Sequence, residues 1–316
     1  MDNLDRNSSS YLSLSLSTNT LASYDTALRS FSIFCAQDRT VPFPLAERTL
    51  IRYICFLARR IKYSSIKIYL SGIRFHSLIR GYKADIDSMH KLYYVLRGIR
   101  RHHSQIYLSL QKAPILRSDL SIFYDVVSFK LSHHNGSMLQ TAMSFAFYGM
   151  LRVSEFTSLS RHSFDPASTL LISDVSLIGT ILFLRIKASK TDPFRQGTCI
   201  RLPQLHNTRT CPVSAYIRYS AFLSCNEERP FFTFHNGTFL TRRYLSHFIQ
   251  SCFPNSNINT HSFRIGGASL AASAGLPDSA IQILGRWRSD AFLRYIRLSD
   301  DYINDLYNQI SSFHHQ

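Results

Sequence analysis

The apolar residues of this chain keep a helical three-four spacing over most of its length, and the exception decides the fold. Between residues 168 and 202 the period drops to two, in LLISDV, TILFLRI and TCIRLP, bounded by Gly179 and by the TDPFRQG turn. Such alternation puts successive side chains on opposite faces of a strand, so these segments predict a small antiparallel sheet built from hairpins. The fold class that follows is mainly α with a small antiparallel β-sheet. Lys190, in ASKTD, stands at the tip of the last hairpin. A lone loop lysine is ordinarily just solvated.

Ahead of the sheet the helical period dominates. Residues 1–19, rich in Ser, Asn, Thr and Leu, carry no period and read as a flexible tail. Tyr24, Ala27, Leu28, Phe31, Phe34 and Cys35 then mark one amphipathic helix, which Pro42 and Pro44 end. Further helices are predicted over 46–60, around Ile66, Tyr69, Leu70 and Ile73, and around Met89, Leu92, Leu96 and Ile99, giving a helical bundle over 20–108. Residues 109–117, with Pro114 before a new helical start at Ser118, read as a linker to a second domain over 118–298. In that domain helices are predicted near 118–131, 137–151, 212–222 and 241–253, with FFTF at 231–234 as a short strand or buried run.

Charge is concentrated in the first bundle. The whole chain has a formal charge of +16, and residues 48–112 hold fourteen Lys or Arg against two Asp. Solvated helix faces normally interleave acids with bases, so this imbalance predicts a polyanionic partner, namely the backbone of double-stranded DNA. Arg59, Arg60, Lys62, Lys67, Arg74, Arg97, Arg100 and Arg101 are the candidate contacts, with tyrosines interleaved among them. No apolar run has the length of a membrane span and the N-terminus lacks a signal-peptide pattern, so the expected location is intracellular. Six cysteines show no CxxC and no zinc spacing with His, and read as mostly buried free thiols in a reducing compartment, with no metal and no cofactor expected.

The segment 261–297, HSFRIGGASLAASAGLPDSAIQILGRWRSDAFLRYIR, carries the chemistry. With Thr260 as N-cap, His261 and Arg264 fall in a first helical turn, adjacent on one face beside free backbone N–H groups, a placement that suits a phosphate. Gly275 reads as the end of that helix and Pro277 as the start of the next, whose Ile281, Ile283 and Leu284 return to the core at Gly285. Trp287 and Tyr295 follow. Upstream, Arg152 ends a buried-looking run, with Glu155 three residues on as its salt-bridge partner.

Arg152 in LRVSE, Lys190 on a hairpin, His261-x-x-Arg264, Gly285-x-Trp287 and Tyr295 come in the order and approximate spacing of the tyrosine recombinase (phage integrase) superfamily, which the chain resembles over nearly its whole length. The GRW, SKTDPFRQGT and RYIR spellings look most like recombinases of eukaryotic DIRS-like and Crypton-like mobile elements. One departure is clear: the family's His or Trp commonly precedes its Tyr by nine residues, whereas Trp287 is eight before Tyr295 and Arg286 is nine. The resemblance implies an N-terminal helical core-binding (SAM-like) domain, an α+β catalytic domain and a C-terminal docking helix over 299–316, whose apolar stripe includes Tyr302, Leu306 and Ile310. It implies a homo-tetramer on DNA with exchange of that helix, and a nuclear location if the mobile-element assignment holds.

The chemistry suits these residue types. A protein hydroxyl that breaks a phosphodiester needs charge stabilisation on the phosphoryl oxygens and a proton donor for the departing 5′ oxygen. Tyr295 supplies the hydroxyl, Arg152 and Arg264 the planar guanidinium clamp, His261 a proton-transfer group and Trp287 an indole N–H. Glu155 is expected to orient Arg152 or His261. The resemblance implies Lys190 as general acid and a 3′-phosphotyrosine intermediate that needs neither metal nor ATP. The same residue types serve type IB topoisomerases, and the fold alone serves DNA-binding proteins without catalysis. The acidic apolar tail weighs against the first, and the complete residue set against the second.

Overall fold

The structure is a computed structural model that describes residues 8, 10–12, 14–107, 111–189, 192, 194–206, 209–254, 256–297, 303, 304, 307, 308 and 311. The chain forms two compact units, Met1–Leu110 and Gln111–Gln316.

The first unit is helical: α1 (Thr18–Gln37), α2 (Glu47–Ala58), α3 (Tyr63–Ile79) and α4 (His90–Ile106). Phe31, Leu50, Tyr53, Ile54, Ile66 and Ile73, drawn from the apolar faces of α1, α2 and α3, are fully buried and form its core. The flexible tail expected over 1–19 ends earlier, because Ser17 caps α1 by accepting from the Thr20 N–H at 3.3 Å. Residues 8, 10–12 and 14 are helical as well.

The second unit combines helices with the sheet. It contains α5 (Arg117–Lys130), α6 (His133–Tyr148), the single turn α7 (Val153–Phe156), β1 (Val175–Ile178), β2 (Ile181–Ile186), β3 (Thr198–Pro203), α8 (Pro212–Ser220), α9 (Arg242–Cys252), α10 (Ser262–Ser273) and α11 (Asp278–Gly285), ending in a 3₁₀ turn over Asp290–Arg294. The strands run antiparallel in the order β1-β2-β3, with Ile178 opposite Ile181 across the Gly179 turn and Ile186 opposite Thr198. Gly179 has φ 59°, which accounts for glycine there. α6 is buried along nearly all of its length and forms the axis of this unit.

Several boundaries differ from those expected. Residues 111–116 are not a free linker: Ala113 and Ile115 donate backbone hydrogen bonds to Asn257 and Ser262 oxygens, and Ile115 is fully buried in the second core. The FFTF run is buried but makes only isolated bridges at its edges. His261, not Thr260, occupies the cap position of α10, and Pro277 caps α11 from outside it. On α11 Ile281 and Gly285 are buried, whereas Ile283 and Leu284 are exposed. Only Cys35 and Cys211 are buried, while Cys55, Cys199 and Cys225 are exposed. Most of the docking helix expected over 299–316, including Tyr302, Leu306 and Ile310, lies outside the described residues. Among the described residues no helix is long and apolar enough to cross a membrane.

Candidate active site

The site is assembled where α10 crosses α6. Gly266 and Gly267 make that crossing possible, since a Cβ at the first would stand 2.0 Å from the Ile115 carbonyl oxygen and one at the second 2.3 Å from that of Phe147. The close approach carries His261 and Arg264, at the start of α10, to the turn that follows α6. There Met150 takes a left-handed φ of 45° and redirects the chain, so that Arg152 becomes the cap of α7.

Glu155, fully buried in its side chain, organises this turn. It accepts from the Arg152 backbone N–H (2.9 Å) and Nη1 (2.9 Å), from Ser189 Oγ (2.8 Å) and from Arg286 Nη2 (2.9 Å). Burial pushes its pKa up, but the Arg286 charge, the Arg152 N–H and the Arg152 charge more than offset this and hold the carboxyl below its usual range. Glu155 therefore orients Arg152 and Arg286; no hydrogen bond joins it to His261 among the described residues. Arg152 Nη1 also donates to Ser189 Oγ at 2.7 Å. Ser189 immediately precedes Lys190, so the root of that loop is fixed to Arg152, while Lys190 itself lies outside the described residues.

Arg264 is completely buried. Its Nη1 donates to the Met150 carbonyl and its Nη2 to that of Gly285, and its guanidinium lies 4.1 Å from the Trp287 ring centroid and 5.6 Å from that of Tyr295. Burial, then the charges of Arg152 and Arg286, push its pKa down to about 9, so it stays charged at neutral pH. Trp287 lies flat over Gly285: a Cβ there would meet the indole at 1.5 Å, which explains the Gly-x-Trp spelling. The indole in turn packs on Tyr295 with ring centroids 5.0 Å apart, and the His261 ring also lies 5.0 Å from Tyr295. Arg286, nine residues before Tyr295, points instead to Glu155. Ser269 steadies the Tyr295 segment, donating to the Tyr295 carbonyl (3.3 Å) and accepting from the Arg297 N–H (2.8 Å).

The electrostatics favour an anion. His261 is pushed down to about 4, by burial first and then by Lys112, Arg264, Arg152 and Arg242, so it is neutral at physiological pH. Arg264 Nε and Trp287 Nε1 are buried donors with no acceptor among the described residues. An unsatisfied buried donor costs about 1–3 kcal/mol, a cost that falls when a ligand oxygen accepts from it.

Arg286, marked in the sequence only as a rival to Trp287 for one position, completes the Glu155 network together with Ser189, which no sequence pattern singled out. A groove of about 580 Å³ is lined by Ser160, Arg161, Arg242, Arg243 and Ser246. Its three arginines are exposed and form no ion pair among the described residues. In the first unit Arg59, Arg60, Lys62, Lys67, Arg74, Arg97, Arg100 and Arg101 are all exposed. Of these, Arg74 is paired with Asp87 at 2.8 Å, while Arg60 lies 3.9 Å over the Phe56 ring.

A helical first unit followed by a helical unit with a three-stranded antiparallel sheet is the fold of the tyrosine recombinases and integrases. The chain is similar in structure to the XerH site-specific recombinase in its post-cleavage complex with a palindromic difH substrate (TM-score 0.61, 14% identity, covering 90% of this chain and 78% of that one). It is also similar to a lambda integrase dimer bound to a COC′ core site (0.60, 14%, 93% and 94%) and to the Tn1549 transposon integrase with transposon right-end DNA (0.59, 13%, 94% and 95%). By sequence it matches no family model and no curated protein.

Proposed function

We propose that this chain is a site-specific DNA recombinase that cuts and rejoins strands through Tyr295. The observation that carries this reading is the packing of Tyr295 against His261 and Trp287, each at 5.0 Å, beside a buried Arg264 and two donors awaiting an acceptor. Every cation around the tyrosine suits a phosphate, and the fold is shared with DNA-bound recombinases.

In the proposed step Tyr295 Oη attacks phosphorus, the tyrosyl O–P bond forms and the P–O5′ bond breaks. The product is a 3′-phosphotyrosine and a free 5′ hydroxyl, which can attack in reverse to rejoin the same or another strand. Neutral His261 accepts or relays the tyrosine proton. Arg152 and Arg264 offset charge on the non-bridging oxygens, and Trp287 Nε1 donates to one of them. Lys190 is proposed to protonate the 5′ oxygen. The phosphodiester energy is kept in the tyrosyl linkage, so no ATP enters. The exposed bases of the first unit and the Arg161–Arg242–Arg243 groove are the proposed contacts to the DNA backbone. A tetrameric assembly through the C-terminal segment, a role in mobile-element integration or excision, and a nuclear location belong to the same proposal.

The test is incubation, in EDTA and without ATP, with a library of nicked suicide duplexes carrying randomised arms. A denaturant-stable 3′ protein–DNA adduct is expected, and its absence over the whole library overturns the reading. Relaxation of supercoiled plasmid without strand exchange would favour a type IB topoisomerase.

A further inference from the structure

Arg286 holds a conformation that side chains rarely adopt. It ends α11 in the left-handed region, with φ 56° and ψ 43°, where glycine is the ordinary choice. An L-residue persists there only when its surroundings over-determine it. Those surroundings are the carbonyls of Gly149 (Nη1, 2.9 Å) and Met150 (Nη2, 3.3 Å) and the Glu155 carboxylate (Nη2, 2.9 Å). Met150 is itself left-handed, and its carbonyl also receives Arg264. One side chain thus ties the turn that begins the Tyr295 segment to the turn that presents Arg152, through the carboxylate that also grips Arg152. It also lines a cavity of about 140 Å³ with Ser189 and Asp192, on either side of Lys190 in the chain.

We propose that Arg286 is a positioning residue that sets the register of the tyrosine segment against the Arg152 clamp, an inference that rests on the strand-transfer reading above. Its Nη1 and Nη2 are held by the Gly149 and Met150 carbonyls and the Glu155 carboxylate, so what the side chain does is fix two turns against each other. Nor does helix termination explain it. Glycine would stop α11 with less strain, and an apolar side chain would fill the buried volume; only a guanidinium reaches all three acceptors.

The experiment uses the full chain and the nicked suicide duplex. Arg286→Met should lower the rate of adduct formation ~100-fold, the scale expected when reacting groups are displaced by about an ångström. Affinity for DNA should stay unchanged. Arg286→Lys, which reaches fewer acceptors, should fall between Met and wild type. Glu155→Gln and Arg286→Met combined should cost less than the product of their single losses, because the two share one ion pair. A neutral methylphosphonate at the scissile position needs less charge stabilisation, so it should recover ~tenfold of the Arg286→Met loss and none of the Tyr295→Phe loss. A packing role would instead reduce both substrates in proportion to the folded fraction, with no recovery on the neutral linkage. That result, or wild-type cleavage by Arg286→Met, overturns the proposal alone. Failure of the wild-type chain to form any adduct overturns the strand-transfer reading and the proposal with it.

Discussion

Arginine plays opposite parts on the surface of the first unit and at the buried site of the second. In the first, Arg59, Arg60, Arg97, Arg100 and Arg101 stand exposed, and none is in an ion pair among the described residues. In the second, Arg264 is completely buried and Arg152 and Arg286 nearly so, each aimed at named acceptors. An exposed guanidinium keeps its water and acts through charge at a distance, so its neighbours can share its work. A buried one has given up hydration that only a fixed set of partners can replace. The first kind suits affinity for a polyanion, the second suits geometry at a reacting phosphate.

Substitution should separate the two kinds. The largest effect is expected from Arg264→Lys, which keeps the charge but loses the planar fork that spans the Met150 and Gly285 carbonyls. Adduct formation should fall ~1000-fold while DNA affinity changes less than about threefold. A parallel collapse of binding would erase the division of labour. Next comes the combined replacement of Arg59, Arg60, Lys62 and Lys67 by Gln. Affinity should drop ~100-fold and the salt dependence of binding should flatten by about three to four in log–log slope, with cleavage at saturating DNA unchanged. An unchanged salt slope would move the DNA to another face.

Smaller effects test the site's packing and charge. Gly285→Ala pushes a methyl into the Trp287 ring and should cost about 1–3 kcal/mol, read as a lower Tm together with slower cleavage. His261 offers a pH test. Its folded pKa of about 4 lies below its ordinary 6.5, so the unfolded chain takes up the proton first as pH falls. Its contribution to stability is therefore complete above pH 6.5 and is lost as pH falls toward 4. His261→Gln should flatten the stability curve across that window; an identical curve would mean that the imidazole is not buried among cations.

Much of this contrast was legible in the sequence, for physical reasons. The period-two stretch named the sheet because alternation is a local property. The helices of both units followed from apolar spacing in the same way. Arg152, His261, Arg264, Trp287 and Tyr295 were singled out by residue type and order, and the fold brings them together. Arg286 was visible only as a rival to Trp287 for one position. Its actual partner, Glu155, is 131 residues away, and no local pattern encodes a contact of that kind. Ile283 and Leu284 looked like core for the same reason: their spacing is helical, yet both are exposed. The neutrality of His261 comes from burial first and then from Lys112, Arg264, Arg152 and Arg242, of which only Arg264 is near it in sequence.

The central claim is that Tyr295 forms the covalent bond to DNA. The direct measurement is to trap the adduct on a nicked duplex, digest it with protease and locate the modified residue by mass spectrometry, with Tyr295→Phe run in parallel. The account predicts a nucleotide attached to the peptide that contains Tyr295 and no adduct from the phenylalanine variant. An adduct on another tyrosine such as Tyr302 or Tyr307, or one that persists in Tyr295→Phe, would contradict it.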